Sequence, residues 1–259
     1  MAVAYQLRHP SLLEVNDEAL FDSRLLAALK AEDPAHEVLR LATHVTADAY
    51  SLPFLAAQYC EKLLEEIDSY VAHATSVQQR MPGLLLSRRV YLHAISAEFN
   101  AVSDQILARL RDVDAAIFRQ DSPLAFHHAY AIAYSSMGDA ALKMHRDDSD
   151  ITLNILLEAS LDLKGSDLIL CRPTPEEERP GTPDLQSMQQ GERVTGYSHS
   201  EVGRCIVHPG DRWHGVSPLE EGSRCNLIFL AMRNDEDWKP DFYPDMLARL
   251  ADRAAQPSS

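Results

Sequence analysis

A chain of 259 residues, 46% of them hydrophobic, can bury a sizeable core as one large domain or as one domain with helical additions. Its formal net charge of −15 at pH 7 leaves no basic stripe for following phosphates, which argues against nucleic-acid and anionic-membrane binding and for a small ligand or a cationic partner. Cys60, Cys171, Cys205 and Cys225 form no CxxC pair, so neither a zinc ribbon nor a disulfide framework is expected; with no signal-like N-terminus or apolar run of membrane-spanning length, the chain reads as cytoplasmic.

Helical patterning runs over about 17–49 with a stop at Asp33-Pro34, then over 53–74, where Leu55, Cys60, Leu63, Leu64, Ile67 and Val71 form an apolar stripe. A third helix is predicted over 96–117, with Phe99, Val102, Ile106, Leu110 and Val113 at three- to four-residue intervals. From about Leu124 the pattern changes to short alternating runs separated by turn residues. These predict strands over 126–134, 141–145, 151–157, 167–171, 193–197, 204–207, 212–216 and 224–233, about the number that builds a jelly roll. Residues 172–200 read as a polar loop able to act as a lid, and 244–255 as a short amphipathic helix. The expected organisation is a helical region at 1–120 packing on a β core at 121–235, with a helix and tail at 236–259, all in one structural domain.

In Lys143-Met144-His145-Arg146-Asp147-Asp148, His145 and Asp147 are two residues apart, so an extended chain points both to one side. His214, in Arg212-Trp213-His214-Gly215-Val216, supplies a second imidazole. Two imidazoles and one carboxylate on one face of a metal leave three positions open, the facial triad of non-haem iron(II) enzymes. A bidentate 2-oxo acid takes two of these and dioxygen the third. His-x-Asp arises by chance in a chain with eleven histidines, so the triad needs support. Arg224 gives it: ten residues after His214 and across the turn-forming positions 217–223, its guanidinium can pair bidentately with the far carboxylate of 2-oxoglutarate.

Ala133-Tyr134, His145-Arg146-Asp147, Ile151-Thr152-Leu153-Asn154-Ile155, His208-Pro209-Gly210 with His214-Gly215-Val216, and Gly222-Ser223-Arg224 occur in that order. In this the chain resembles, over 126–233, the prolyl/lysyl hydroxylase branch of the Fe(II)- and 2-oxoglutarate-dependent dioxygenases. The resemblance implies an α+β fold with a double-stranded β-helix (jelly-roll) core and flanking, mainly N-terminal helices. It implies His145, Asp147 and His214 as Fe(II) ligands, Arg224 as the salt-bridge partner of 2-oxoglutarate and Tyr134 as a hydrogen-bond donor to it. Dioxygen is the other co-substrate, with ascorbate as an optional addition. The implied activity is an EC 1.14.11-like hydroxylation of a C–H bond in an amino acid, a peptide side chain or a small metabolite, with release of succinate and CO2. The alternative is a non-catalytic scaffold or sensor that binds metal and 2-oxoglutarate. Two departures stand out: Lys164-Gly165-Ser166 where relatives often have paired glycines, and Asn226 where a serine is common. Asp147 favours hydroxylation over halogenation, because halogenating members lack this carboxylate.

Alternation puts Thr152 and Asn154 on one face of their strand, and Asn226 shares parity with Arg224, so all three are candidates for lining the co-substrate pocket. His208 reads as structural but is the rival metal ligand. His127 and His128 should point to opposite faces, neither as a ligand; Trp213 should pack behind the site, and Arg146 should point away from the metal towards substrate. Glu176, Glu177, Glu178, Asp184 and Glu192 make a cationic substrate one option, with solvated loop charge as the commoner explanation. Oligomeric state is not specified by the sequence.

Overall fold

The computed structural model describes residues 5–78, 89–118, 122–135, 140–172 and 194–233. Capping residues divide the beginning of the chain into short helices. After a 3-10 turn at Pro10–Leu13 come α1 (Asp17–Leu20), α2 (Ser23–Leu29) and α3 (Pro34–Leu41). The side chains of Asn16, Asp22 and Asp33 accept from Glu18 N, Arg24 N and His36 N, and Pro34 opens α3, where a missing N–H costs nothing. Longer helices follow at α4 (Ala57–Gln78) and α6 (Phe99–Ile117), with the single turn α5 (Leu92–Ile95) between them.

Thirteen strands are described: β1 (Thr43–Thr46), β2 (Ala49–Pro53), β3 (Arg89–Tyr91), β4 (Leu124–Ser135), β5 (Leu142–His145), β6 (Ile151–Ala159), β7 (Lys164–Gly165), β8 (Leu168–Cys171), β9 (Val194–Tyr197), β10 (Arg204–Pro209), β11 (His214–Val216), β12 (Leu219–Glu221) and β13 (Ser223–Arg233). The major sheet runs β1-β2-β10-β6-β13-β4-β3 and the minor sheet β5-β11-β8-β9, with every pairing antiparallel; β12 and β7 form a separate two-stranded ladder. The two facing sheets are the jelly roll expected for a double-stranded β-helix core.

Two differences from the sequence reading concern the helical half. The helix expected to reach position 49 ends at Leu41, and β1 and β2 form a hairpin that turns at Ala47 (φ 41°) and pairs through β2 with β10. Val45, Thr46, Tyr50 and Leu52 suit a pleated surface, and long-range pairing outweighs the local helical pattern. Strand β3 adds three residues at the opposite edge of the sheet.

Alternation along the major sheet separates two cores. Leu153, Ile155, Leu227 and Phe229 face outward and are covered by α4 and α6, whose Cys60, Leu63, Phe99, Val102, Ile106, Leu110 and Val113 are buried against them. Tyr130, Ile132, Tyr134 and Ile228 face inward and meet Leu168, Leu170 and Val216 of the minor sheet. The helices thus stiffen one wall of the barrel and leave its interior for the site. Positions 173–193 and 244–255, where a lid and a helix were expected, lie outside the described residues.

Candidate metal and co-substrate site

His145 ends β5 and His214 begins β11, and antiparallel register sets them directly opposite each other. Asp147 follows His145 and is tied down by its own N–H, which donates to the Gly210 carbonyl at 2.9 Å. The three side chains converge: their ligating atoms lie within 4.8 Å of one another, with His145 Nε2 3.5 Å and His214 Nε2 3.3 Å from the Asp147 carboxylate. Asp147 and His214 side chains are 10% and 6% exposed and that of His145 32%, so the cluster opens to solvent on the His145 side.

The hydrogen bonds behind the triad fix its chemistry. His145 Nδ1 donates to the Lys143 carbonyl at 2.9 Å and His214 Nδ1 to the Arg212 carbonyl at 2.8 Å. A carbonyl only accepts, so in both neutral rings the proton sits on Nδ1 and the Nε2 lone pair faces inward, as a metal requires. Thr152 Oγ1 donates to Asp147 Oδ2 at 2.6 Å and accepts from Ser149 Oγ at 2.9 Å. Burial opposes the charge on Asp147, but His145, His214 and Thr152 outweigh it and hold the carboxyl well below the usual carboxylate range. Burial also disfavours a charged His145, yet Asp147 and the Lys143 carbonyl leave its proton affinity raised overall. His145 Nε2 thus competes for protons with whatever it ligates. The donor set, two imidazole nitrogens and one carboxylate oxygen on one side, fits iron(II).

Further along the barrel, Arg224 of β13 is 2% exposed and stacks over the Tyr134 ring at 4.9 Å, the residue it faces in register on β4. Arg224 Nε donates to Ser166 Oγ at 2.9 Å, whereas Nη1 and Nη2 are buried with no partner among the described residues. A buried guanidinium with two unmatched donors is costly by itself and well matched to a carboxylate. Asn226 Nδ2 donates to Asn154 Oδ1 at 2.8 Å and to His199 Nε2 at 3.3 Å, and its Oδ1 is also without a partner among the described residues. Of the residues singled out for the pocket, Thr152 stands behind Asp147, whereas Tyr134, Asn154 and Asn226 lie on the inner face of the major sheet.

His208 is buried, donates through Nδ1 to the Pro209 carbonyl at 2.8 Å and packs its ring 4.7 Å from that of His214, outside the converging triad. His127 stacks on Phe229 on the helix side while His128 joins Tyr91 and Tyr130 on the inner side, the alternation expected. Arg146 lies 4.9 Å over the Trp213 ring. Two contributors escaped the sequence reading as site residues. Ser166 reaches Arg224 from a left-handed backbone (φ 59°) that no local pattern announces, and His199 lies beyond β9 with no motif around it.

A jelly roll with a His-x-Asp and distal His cluster, facing a buried arginine along the barrel, defines the facial-triad class of oxygenase folds. The comparisons narrow the class. The OGFOD2-like domain family matches residues 1–119, the helical half together with the β1–β2 hairpin. The chain is 24% identical to 2-oxoglutarate and iron-dependent oxygenase domain-containing protein 2 of Xenopus tropicalis, over 91% of this chain and 64% of that protein. It is 26% identical to the human protein of the same name, over 69% of this chain and 47% of the relative. It therefore spans less than two thirds of the length of these curated relatives. In fold it is similar to AviO1 from Streptomyces viridochromogenes, with a TM-score of 0.51 and 14% identity over 78% of this chain and 95% of that one. The chain is thus similar over most of its length to 2-oxoglutarate- and iron-dependent oxygenase domain proteins, and shares the fold of AviO1.

Proposed function

We propose that the protein is a 2-oxoglutarate-dependent hydroxylase, with His145, Asp147 and His214 holding iron(II) and Arg224 holding the tail carboxylate of 2-oxoglutarate. One observation carries the reading: a triad with both Nε2 lone pairs turned inward shares a barrel interior with a buried arginine whose two outer nitrogens lack acceptors. The chemistry supplied by bound iron(II) and 2-oxoglutarate is oxidative decarboxylation to succinate and CO2, coupled to oxidation of a C–H bond. The protein's part is positional. Thr152 orients the Asp147 carboxylate, the Lys143 and Arg212 carbonyls fix the ring tautomers, and Ser166 with Tyr134 aims Arg224. The apolar inner face of Ile132, Leu168, Leu170 and Val216 excludes water from the interior.

For the oxidised substrate, the charge around the triad supports an anion over the cationic side chain considered from the acidic loop. Arg89 of β3 shares a register pair with Ile132, lies 4.9 Å over the Tyr130 ring, and makes no ion pair among the described residues. Its charge is felt at His145. Anaerobic titration of the iron(II) protein with 2-oxoglutarate tests the central reading: a visible charge-transfer band that is lost in His145→Ala and His214→Ala, survives His208→Ala, and needs far more 2-oxoglutarate in Arg224→Ala. Succinate formation in air then separates a catalyst from a scaffold. An iron-loaded wild type without the band refutes the reading.

A further inference from the structure

The barrel interior holds a hydrogen-bond donor that the triad does not use. His199 is 8% exposed, its ring meets Tyr197 edge to face at 5.0 Å, and the Tyr197 hydroxyl is tied to Ser51 Oγ of β2 at 2.6 Å. Asn226, fully buried between Asn154 and His199, donates Nδ2–H to His199 Nε2. An Nε2 that accepts carries no proton, so on a neutral ring the proton sits on Nδ1. The ring is neutral: burial, with the nearby charge of Arg224, pushes His199 down to about 3. His199 Nδ1–H is therefore a donor, and it is buried with no partner among the described residues, as are Arg224 Nη1 and Nη2. Three unmatched donors around one interior call for a single acceptor of high capacity. A carboxylate has two oxygens and about four acceptor sites, so a bidentate arginine leaves room for one donor more.

We propose that His199 is a second, uncharged donor to the tail carboxylate of 2-oxoglutarate, held for that purpose by Asn226 and Tyr197. This rests on the function proposed above and assigns a residue that lies in none of the ordered motifs. Asn226 flanks His199 on one side and shares its strand face with Arg224, whose charge is felt at His199, so the ring lies towards the arginine end of the pocket. A neutral donor adds recognition without adding a second positive charge to a buried site.

The test compares two 2-oxo acids by anaerobic titration of the charge-transfer band: 2-oxoglutarate, and 2-oxopentanoate, which chelates alike but lacks the tail carboxylate. His199→Leu should raise the Kd for 2-oxoglutarate about 10- to 100-fold, the worth of one hydrogen bond to a charged group, and leave that for 2-oxopentanoate nearly unchanged. His199→Gln, which keeps an N–H donor, should recover most of the loss. Equal losses for both acids, or none for 2-oxoglutarate, overturn the proposal. If His199→Leu does not fold, histidine 15N spectra of the zinc-loaded wild type decide: 2-oxoglutarate must shift the Nδ1-bound proton of His199 and 2-oxopentanoate must not, and an unmoved resonance overturns the assignment. A wild type that binds iron but gives a band with neither acid refutes the proposed function itself. A band of equal affinity for both acids refutes the tail subsite alone.

Discussion

Replacing Thr152 by Val removes one hydroxyl and almost no shape, which isolates the bond behind the metal cluster. Thr152 is 2% exposed, and its Oγ1 lies 2.6 Å from Asp147 Oδ2. The acceptor is ionised, because two histidines and this hydroxyl hold its pKa well below the usual range against burial. A buried hydrogen bond to a charged acceptor contributes about 1.5–3 kcal/mol net. If the bond is fully expressed only when Asp147 is fixed for ligation, that range converts to a loss of about 10- to 150-fold in metal affinity. The usual effect of removing a group that orients a metal ligand, about 10- to 100-fold, overlaps it. Metal affinity is read by competition against a fluorescent chelator, with circular dichroism and a thermal melt to show that Thr152→Val is folded. A folded variant that binds metal as the wild type does refutes the claim that Thr152 acts through Asp147.

His128, half-buried, and His199 and His208, buried, are pushed down to about 4, 3 and 4, below the value of about 6.5 expected in the unfolded chain. The unfolded state therefore binds more protons between those limits, and stability present above pH 6.5 is lost as pH falls towards 4, by up to about 1.4 kcal/mol per pH unit for each ring. Urea unfolding of metal-free protein at pH 7 and pH 5 should show this slope, reduced in His208→Leu; an unchanged slope counts against a neutral buried His208. Gly165 has φ 69°, and a Cβ there would lie 2.3 Å from the Pro218 carbonyl oxygen. Gly165→Ala should displace Ser166 from Arg224 and weaken 2-oxoglutarate binding by about tenfold, since left-handed backbone costs an L side chain about 1–2 kcal/mol before any clash; band titration measures it. Arg89→Glu should reverse the preference between carboxylate-bearing and amine-bearing substrates in a succinate assay, and an unchanged ranking removes Arg89 from substrate recognition.

The parts of the site that the sequence makes visible are those whose geometry is local. Two ligands two residues apart on an extended chain face one way whatever the rest of the fold does, so His145 and Asp147 can be read directly. His214 and Arg224 become legible through order and spacing, although positions 217–223, expected as a turn, hold the short strand β12 and carry the chain from the minor sheet to the major one. The helices α4 and α6 were visible from periodicity, though the first starts at Ala57 where a start at 53 was expected. What was missed depends on long-range pairing. The β1–β2 hairpin is a strand pair only because β10 lies beside it, β3 is too short to leave a pattern, and Ser166 reaches Arg224 by a backbone twist at two successive residues.

The triad residues sit on β5, on β11 and in the segment after β5, with Thr152 of β6 and the Gly210 carbonyl holding Asp147. The arginine end of the interior draws Asn154, Asn226 and Arg224 from the major sheet, Ser166 from a turn, and His199 from a segment braced through Tyr197 to Ser51. Ser51 belongs to β2, within the span matched by the OGFOD2-like domain family, whereas His145, Asp147 and His214 lie outside that span. Under the proposed function, the N-terminal region should bear on 2-oxoglutarate binding more than on metal binding. Ser51→Ala, which removes the hydroxyl bonded to Tyr197, should weaken the first and spare the second.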